Sequence, residues 1–278
     1  MRIFLLTLVV MTAFAANSVL NRAAVGGGHI GSLDFAALRL VSGTVVLAVV
    51  ASLTGGRRWL SAFRPVNIGA LSLYMLAFSF AYRVLPAGAG ALILFGTVQI
   101  TMFGGAIAGG EWIPWQRWLG AALALAGLGW MLLPGTQGLP IAAAVTMAAA
   151  GVGWGIYSLR GRAGGPPIDT TAASFLGAVP LGFLAWALAP DGALNGHGVT
   201  LAILSGAVTS GLGYALWYAI LPALGATRAA LWQLTVPVIA VLAGTVLLGE
   251  AVTARLVLSC ALVVGGVAFG LAAPRRQT

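Results

Sequence analysis

Aromatic side chains recur at intervals of three or four residues in three apolar segments of the chain. They are Tyr74, Phe78 and Tyr82 in one segment, Trp154 and Tyr157 in a second, and Tyr214, Trp217 and Tyr218 in a third. Side chains at this spacing share one face of a helix. Their rings would form an apolar surface that also offers hydroxyl and indole N–H groups. The pattern predicts a binding surface for an amphipathic small molecule, with ordinary packing or an aromatic belt at a membrane interface as the alternative.

Three amides lie inside apolar segments, at Asn17, Gln99 and Gln233. Burying an amide in hydrocarbon without partners costs on the order of several kcal/mol. These amides therefore either hydrogen-bond one helix to another or meet the amino and carboxylate groups of a substrate in a wet cavity. Trp232 and Gln233 lie one turn before Pro237, which frees a backbone carbonyl and permits a kink. We include Trp232 and the three amides in the predicted substrate-binding set.

Groups that catalyse reactions or hold metals do not occur in the middle of the apolar segments. The acids are Asp34, Glu111, Asp169, Asp191 and Glu250, and all fall at the ends of predicted helices. Proton-coupled carriers usually keep an ionisable group inside the membrane. We therefore expect no catalytic residue, no metal and no cofactor, and flux that is uncoupled or coupled through something the sequence does not reveal. The sequence also offers no cluster of buried Arg suited to clamping a phosphate group.

The composition indicates where these residues act. Of 278 residues, 60% are hydrophobic and 7% are charged, against about 25% charged in a soluble domain. All 14 basic residues are Arg, and most stand singly at predicted helix ends. That pattern is typical of topology signals and lipid-headgroup contacts rather than of nucleic-acid binding. We predict a membrane protein whose partners are lipid and a small-molecule substrate, and no nucleic acid.

The apolar segments divide into ten spans of the length that a membrane requires. They run over 3–24, 33–53, 66–85, 88–109, 114–133, 139–159, 169–188, 199–220, 224–247 and 252–273. Similar residues recur 136 to 140 positions apart, as Gly110-Glu111 does at Gly249-Glu250 and Tyr82 at Tyr218. Two copies of a five-helix unit must insert in opposite directions, because five is odd. The predicted fold is an all-α membrane protein of ten transmembrane helices in two inverted five-helix repeats, 1–136 and 137–278.

The loop charges predict the orientation. If the N-terminus is cytoplasmic, the inner segments hold Arg2, Arg57, Arg58, Arg64, Arg117, Arg160, Arg162, Arg228, Arg275 and Arg276. The outer loops hold Arg22, Arg83 and Arg255, and Arg39 lies within a span near its outer end. An excess of basic residues marks the cytoplasmic side. We therefore expect a multi-pass protein of the inner (plasma) membrane with both termini in the cytoplasm.

Several motifs, in this order, resemble the EamA branch of the drug/metabolite transporter superfamily. They are Phe14-Ala15-Ala16-Asn17, Phe35-Ala36-Ala37-Leu38-Arg39, Pro237 before Gly249-Glu250, and the Gly-rich fifth and tenth spans. Phe14 stands where the family usually has Trp, and Val98 where Pro237 would have its counterpart. The resemblance covers the whole chain. It implies a transporter and not an enzyme, with a central cavity formed mainly by spans 1, 3, 4, 6, 8 and 9.

Within that family, the aromatic content most resembles exporters of aromatic amino acids. We expect export of neutral, in particular aromatic, amino acids or related amphipathic metabolites by alternating access. A multidrug or other metabolite carrier of the same fold is one alternative, and a membrane-embedded lipid-modifying enzyme is another. Spans 5 and 10 would pack at the periphery or at a dimer contact through small residues, so the protein is expected to be a monomer or a homodimer.

Overall fold

The computed structural model describes residues 2–55, 58–132, 140–161, 166–188, 192, 194–248 and 254–272. These residues form helices and turns with one isolated β-bridge between Ile30 and Leu194, and none of them forms a strand. The all-α prediction is therefore confirmed. The repeated pair Gly249-Glu250, the acid Asp191 and four of the Arg residues used for orientation (Arg57, Arg162, Arg275 and Arg276) lie outside the described residues.

Within the described residues, each predicted span overlaps one helix or a run of consecutive helices. The α-helices are α1 (Arg2–Asn21), α2 (Ser32–Gly55), α3 (Pro65–Ala81), α4 (Ala87–Ala108), α5 (Trp115–Leu132), α6 (Ile141–Gly161), α7 (Pro167–Leu188), α8 (Gly196–Leu204), α9 (Gly213–Leu224), α10 (Ala226–Gln233), α11 (Thr235–Leu248) and α12 (Ala254–Leu271). Two π-helical segments extend them: Arg22–Gly26 continues α1, and Ser205–Leu212 joins α8 to α9. A short 3₁₀ helix covers Arg58–Ser61.

Seven helical stretches of the described chain are long and apolar enough to cross a membrane. They are Arg2–Gly26, Ser32–Thr54, Ala87–Ala108, Ile141–Gly161, Pro167–Leu188, Gly196–Leu224 and Ala226–Leu247. Pro65–Ala81 and Val257–Leu271 are shorter apolar helices. Many large apolar side chains on these helices are exposed, such as Leu53 and Val246, which suits contact with lipid tails. The chain is a multi-pass membrane protein.

The ninth predicted span is broken in the structure. It forms α10 and α11, which are separated at Leu234. Pro237 has no N–H to donate to the carbonyl of Gln233, four residues earlier, so the regular helical ladder cannot continue through this point. The hydroxyl of Thr235 donates to the carbonyl of Trp232 at 2.8 Å and replaces part of the lost bonding. The helix is therefore interrupted at Leu234, three residues before Pro237, where the sequence permits a kink.

Loop contacts define the two ends of the bundle. At one end, which we call the His29 end, Ile30 bridges to Leu194, and the backbone N–H of Asn195 donates to the carbonyl of His29 at 3.1 Å. At the opposite end, which we call the Glu111 end, the hydroxyl of Thr227 donates to the Glu111 carboxylate at 2.7 Å. The His29 end joins the α1–α2 and α7–α8 connections, and the Glu111 end joins the α4–α5 loop to the start of α10.

Glycines bring α5 and α12 into close contact. A Cβ added at Gly120 would lie 2.5 Å from the carbonyl oxygen of Gly266, and one added at Gly266 would lie 2.6 Å from that of Gly120. Only glycine permits this backbone approach. Gly266 thus packs closely within the chain, whereas Gly104 and Gly265 face open space.

Candidate functional site

Five aromatic rings from α1, α3, α6 and α9 meet in the centre of the bundle, and all are buried. Phe14 contacts the rings of Trp154 and Trp217 edge-on at centroid distances of 5.1 and 5.6 Å. Tyr74 lies 5.1 Å from Trp154, and Trp154 lies 4.5 Å from Tyr214. We call Phe14, Tyr74, Trp154, Tyr214 and Trp217 the central aromatic cluster. The structure thus brings together four of the predicted site residues, although their sequence positions span more than half of the chain.

A polar group adjoins this cluster on α1. The side-chain oxygen of Asn17 accepts from Ser205 at 2.8 Å, Thr209 at 2.5 Å and Ser210 at 3.1 Å. Its amide nitrogen donates to the backbone carbonyl of Thr209 at 3.2 Å. In a π-helix the hydrogen bonds join residues five apart, so Ser205 and Ser210 lie over each other and face the same neighbour. Asn17 therefore fills the first of its two predicted roles, the bond between helices.

Arg39 is the charged centre of the site. It lies in the second turn of α2 and is fully buried. Its Nε donates to the hydroxyl of Ser210 at 2.8 Å, and its Nη2 donates to the hydroxyls of Tyr74 at 3.1 Å and Tyr214 at 2.6 Å. The guanidinium carbon lies 5.0 Å from the ring centroid of Phe78, a cation–π distance. Arg39 thus joins α2 to α3, to α9 and to the π-helical segment.

A glycine allows the π-helical segment to reach α2. A Cβ at Gly206 would lie 2.2 Å from the carbonyl oxygen of Arg39 and would clash with the hydroxyl of Ser42. The absence of a side chain at Gly206 lets the two backbones touch. As a result, Ser210 reaches both Arg39 and Asn17, and the polar residues form one connected network.

Two indole groups complete the polar contacts of the cluster. The N–H of Trp154 donates to the side-chain oxygen of Gln233 at 2.5 Å, and the Gln233 nitrogen lies 3.1 Å from the sulfur of Met102. The N–H of Trp217 donates to the hydroxyl of Ser158 at 3.2 Å. Gln233 is thus attached to the central aromatic cluster from the α10 side.

The remaining predicted site residues lie around the cluster. Tyr82 is buried next to Phe78, with its hydroxyl donating to the carbonyl of Ala87 at 3.2 Å. Tyr157 and Tyr218 stack at 4.8 Å, and the Tyr218 hydroxyl donates to the carbonyl of Tyr157 at 2.7 Å. These hydroxyls are already bonded to backbone, so Tyr82 and Tyr218 hold neighbouring chain segments together.

Gln99 and Trp232 differ from the other predicted residues. Gln99 on α4 is buried, and neither its side-chain oxygen nor its nitrogen has a hydrogen-bond partner. Trp232 is half-buried and contacts Phe4 of α1 at 5.5 Å. Phe4 is the third residue of α1, so this contact lies far from the central aromatic cluster, towards the Glu111 end.

The three described acids lie outside this centre. Asp34 accepts from the indole of Trp186 at 2.7 Å, Glu111 lies between α4 and α5, and Asp169 is in the first turn of α7. Glu111 also lies 3.8 Å from Arg117. Among the described residues, no group of three or more His, Cys, Asp or Glu could hold a metal ion.

Arg39 is the functional candidate that sequence reasoning missed. The sequence places Arg39 within a span near its outer end, outside the count of loop charges, and assigns it no role in the site. The sequence position of Arg39 distinguishes it from most other Arg residues, which fall at predicted span ends, because Arg39 falls inside an apolar run. A charged residue within a spanning segment usually faces the interior and is functional.

The fold and the site define a multi-pass membrane protein with a polar and aromatic centre buried between its helices. Comparison with known proteins shows what the chain resembles. A profile of the EamA-like transporter family matches residues 141–271, slightly less than half of the chain. An uncharacterized transporter of Archaeoglobus fulgidus is 26% identical over 249 residues, which cover 84% of this chain and 87% of that protein. Residues 141–271 thus resemble an EamA-like transporter domain, and both similarities are to transporters.

Two further similarities extend over nearly the whole chain. An uncharacterized protein of Pseudomonas aeruginosa is 45% identical over 274 residues, which cover 98% of this chain and 95% of that protein. A protein known from its crystal structure matches with a TM-score of 0.78 at 23% identity, covering 96% of this chain and 98% of that one. The second similarity concerns the fold alone.

Proposed function

We propose that this protein is a membrane transporter that exports neutral, in particular aromatic, amino acids or related amphipathic metabolites by alternating access. The observation that carries this proposal is the central aromatic cluster. Its rings come from α1 and α3 in residues 1–136 and from α6 and α9 in residues 137–278, so it lies where the two predicted repeats meet. A site between repeats is where transporters of this architecture bind their substrates. Aromatic rings with hydroxyl and indole N–H groups suit an apolar side chain attached to polar groups.

The proposed architecture is ten transmembrane helices in two inverted repeats, residues 1–136 and 137–278. The runs of helices on the ten predicted spans support it, as does the odd number of spans in each half. The proposed location is the inner membrane with both termini in the cytoplasm. In this orientation the His29 end faces outward and the Glu111 end faces the cytoplasm. The Arg residues that favour this orientation at the Glu111 end include Arg117 and Arg228.

Alternating access requires contacts at each end that open in turn. At the His29 end, the side-chain nitrogen of Asn21 donates to the hydroxyl of Ser79 at 2.9 Å, which joins α1 to α3. At the Glu111 end, the hydroxyl of Thr227 bonds to Glu111, and Phe4 contacts Trp232. We propose that the first contact breaks in the outward-open state and that the others break in the inward-open state.

The proposed substrate-binding residues are Asn17, Tyr74, Phe78, Tyr82, Gln99, Trp154, Tyr157, Tyr214, Trp217, Tyr218, Trp232 and Gln233. Tyr74, Trp154, Tyr214 and Trp217 would contact the substrate directly, because their rings already face one another in the central aromatic cluster. Gln99 would contribute its amide, whose two polar atoms have no hydrogen-bond partner. Tyr82, Tyr157, Tyr218 and Trp232 would act at the margins of the site.

The test is direct flux in proteoliposomes, measured as counterflow for a panel of labelled amino acids. Phenylalanine, tyrosine and tryptophan should exchange faster than alanine, glutamate and lysine. Trp217→Phe keeps a ring in the cluster but removes the N–H that bonds to Ser158, so it should slow exchange while the protein stays abundant in the membrane. Trp115→Phe is the matched control, because Trp115 is exposed. Absence of flux for the whole panel, with the protein folded, would overturn the proposal.

A further inference from the structure

The guanidinium of Arg39 has N–H donors that no hydrogen bond of the structure uses. An arginine carries five N–H donors. Nε and Nη2 of Arg39 donate to hydroxyl groups, but Nη1 has no hydrogen-bond partner although it is buried. Buried polar groups without a partner are rare and costly, and a specific one calls for an explanation. The unused donors are on a side chain at the centre of the candidate site.

The charge of Arg39 is also not balanced by an acid of the described chain. The three hydrogen-bond acceptors of its guanidinium, on Ser210, Tyr74 and Tyr214, are all neutral hydroxyls. Asp34 is on the same helix, but residues five apart point about 140° away from each other, and Asp34 bonds to Trp186 instead. A buried cation without a counterion is strongly unfavourable. An anion supplied by a ligand would remove this cost.

The partners of Arg39 connect its guanidinium to the aromatic rings. Nη2 bonds to the hydroxyl of Tyr214, whose ring centroid lies 4.5 Å from that of Trp154. The guanidinium of Arg39 therefore adjoins the central aromatic cluster. A ligand with a carboxylate at one end and an apolar ring at the other matches both parts of the site.

We propose that Arg39 binds the carboxylate group of the transported substrate through its Nη1 edge. This proposal rests on the proposed function, since it names the feature by which the exporter recognises its substrate. Guanidinium and carboxylate form short, charge-assisted hydrogen bonds. Tyr74, Tyr214 and Ser210 hold the guanidinium in place. The substrate's carboxylate would then accept hydrogen bonds from the two unused N–H groups of Nη1. The carboxylate is then the required group, and the amino group is secondary.

A requirement for a carboxylate at Arg39 separates the substrate classes that the fold alone leaves open. Amphipathic organic acids and amino acids carry the required carboxylate. Amphipathic amines, which include many cationic drugs, would bring a second positive charge next to Arg39 in a medium of low dielectric constant, where like charges repel strongly. The site therefore selects for acids and against cations.

The experiment measures ligand-induced thermal stabilisation of the full-length protein in detergent. Four probes share one ring and differ only in their charged groups: phenylalanine, 3-phenylpropionate, phenylalanine amide and 2-phenylethylamine. The first two should raise the melting temperature of the wild type, and the amide and the amine should not. Equal stabilisation by all four probes would overturn the proposal. This comparison needs no variant, so it does not depend on the folding of one.

Variants then test the residue itself. Loss of a charge-assisted hydrogen bond should weaken the binding of 3-phenylpropionate roughly 10- to 100-fold in Arg39→Gln. Arg39→Lys should recover part of this affinity, because it keeps the charge but loses the fork. Arg64→Gln is the control, since Arg64 is exposed at the start of α3, and it should bind as the wild type does. Unchanged acid affinity in Arg39→Gln would overturn the proposal.

Two outcomes distinguish this proposal from the proposed function. If the acids bind through Arg39 but no amino acid exchanges in proteoliposomes, the carboxylate site stands and the assignment as an amino-acid exporter fails. If aromatic amino acids exchange while acids and amides stabilise the protein equally, the exporter stands and the role of Arg39 fails.

Discussion

The hydroxyl of Tyr214 donates to the hydroxyl of Tyr74 over 3.0 Å, although the two residues are 140 positions apart in the chain. Both hydroxyls also accept from the same nitrogen of Arg39. This three-way contact joins α3 of the first predicted repeat to α9 of the second. It also places a cation at the point where the two predicted repeats meet.

The first prediction concerns the stability of this contact. Tyr214→Phe removes the nearer of the two hydroxyls that accept from Nη2 of Arg39 and should lower the free energy of unfolding by about 1–3 kcal/mol. Tyr218→Phe is the matched control, because Tyr218 is on the same helix and its hydroxyl donates to a neutral carbonyl. Thermal unfolding in detergent compares the two. A loss in Tyr218→Phe as large as in Tyr214→Phe would contradict the role of the charge.

The second prediction is topological. In a background with Cys260 replaced by Ser, a cysteine at His197 should react with a membrane-impermeant maleimide on intact cells. A cysteine at Arg64 should react only after the membrane is made permeable. Both residues are exposed in the structure, so access to the reagent is set by the side of the membrane. The reverse labelling pattern would place the His29 end in the cytoplasm.

The third prediction concerns energy coupling. None of the described acids contacts the central aromatic cluster, so substrate counterflow should change little when a pH gradient is imposed. Asp34→Asn and Glu111→Gln should leave this insensitivity unchanged, because Asp34 bonds to Trp186 and Glu111 to Thr227 near opposite ends of the bundle. Strict dependence on a proton gradient that either substitution abolishes would show that protons reach these ends during transport.

The fourth prediction uses two adjacent glycines of α12. Gly266→Val should destabilise the monomer strongly, because a side chain there would clash with the backbone of Gly120 on α5. Gly265→Val should be tolerated, since no neighbouring atom lies within 4 Å of the position that a Cβ would take there. Thermal unfolding measures both, and light scattering of the purified protein measures its mass. Dissociation of a dimer by Gly265→Val would instead assign this exposed face to a contact between subunits.

Much of the fold follows from local properties of the sequence. The helices lie on the predicted spans because runs of about 20 apolar residues have few other ways to satisfy their backbone in a membrane. The break after Gln233 follows from Pro237, whose missing N–H is a local property. The aromatic residues of α3, which include Tyr74, are spaced so that they share one face of that helix, and those of α9, which include Tyr214, share one face of theirs. This follows from helix geometry alone.

The parts that sequence reasoning missed depend on contacts between distant segments. The contacts of Arg39 depend on how closely α2 approaches the π-helical segment, and that approach depends on Gly206. The hydroxyls of Tyr82 and Tyr218 donate to backbone carbonyls, whose positions cannot be derived from the spacing of the aromatic residues. The π-helical segment itself, Ser205–Leu212, has no marker in the composition.

The π-helical segment affects how the chain tolerates insertions and deletions. A π turn holds one residue more than an α turn between bonded groups, so Ser205–Leu212 accommodates a surplus residue within an otherwise continuous helix. Because the bulge takes up this residue locally, deleting one residue here should leave a regular α-helix whose downstream side chains keep their directions. Deleting one residue from the regular helix α8 would instead rotate everything downstream by about 100°. Tyr214 would then turn away from Arg39, and Trp217 from Phe14. The bulge is therefore the place in this helix where the chain can change length without disturbing its centre.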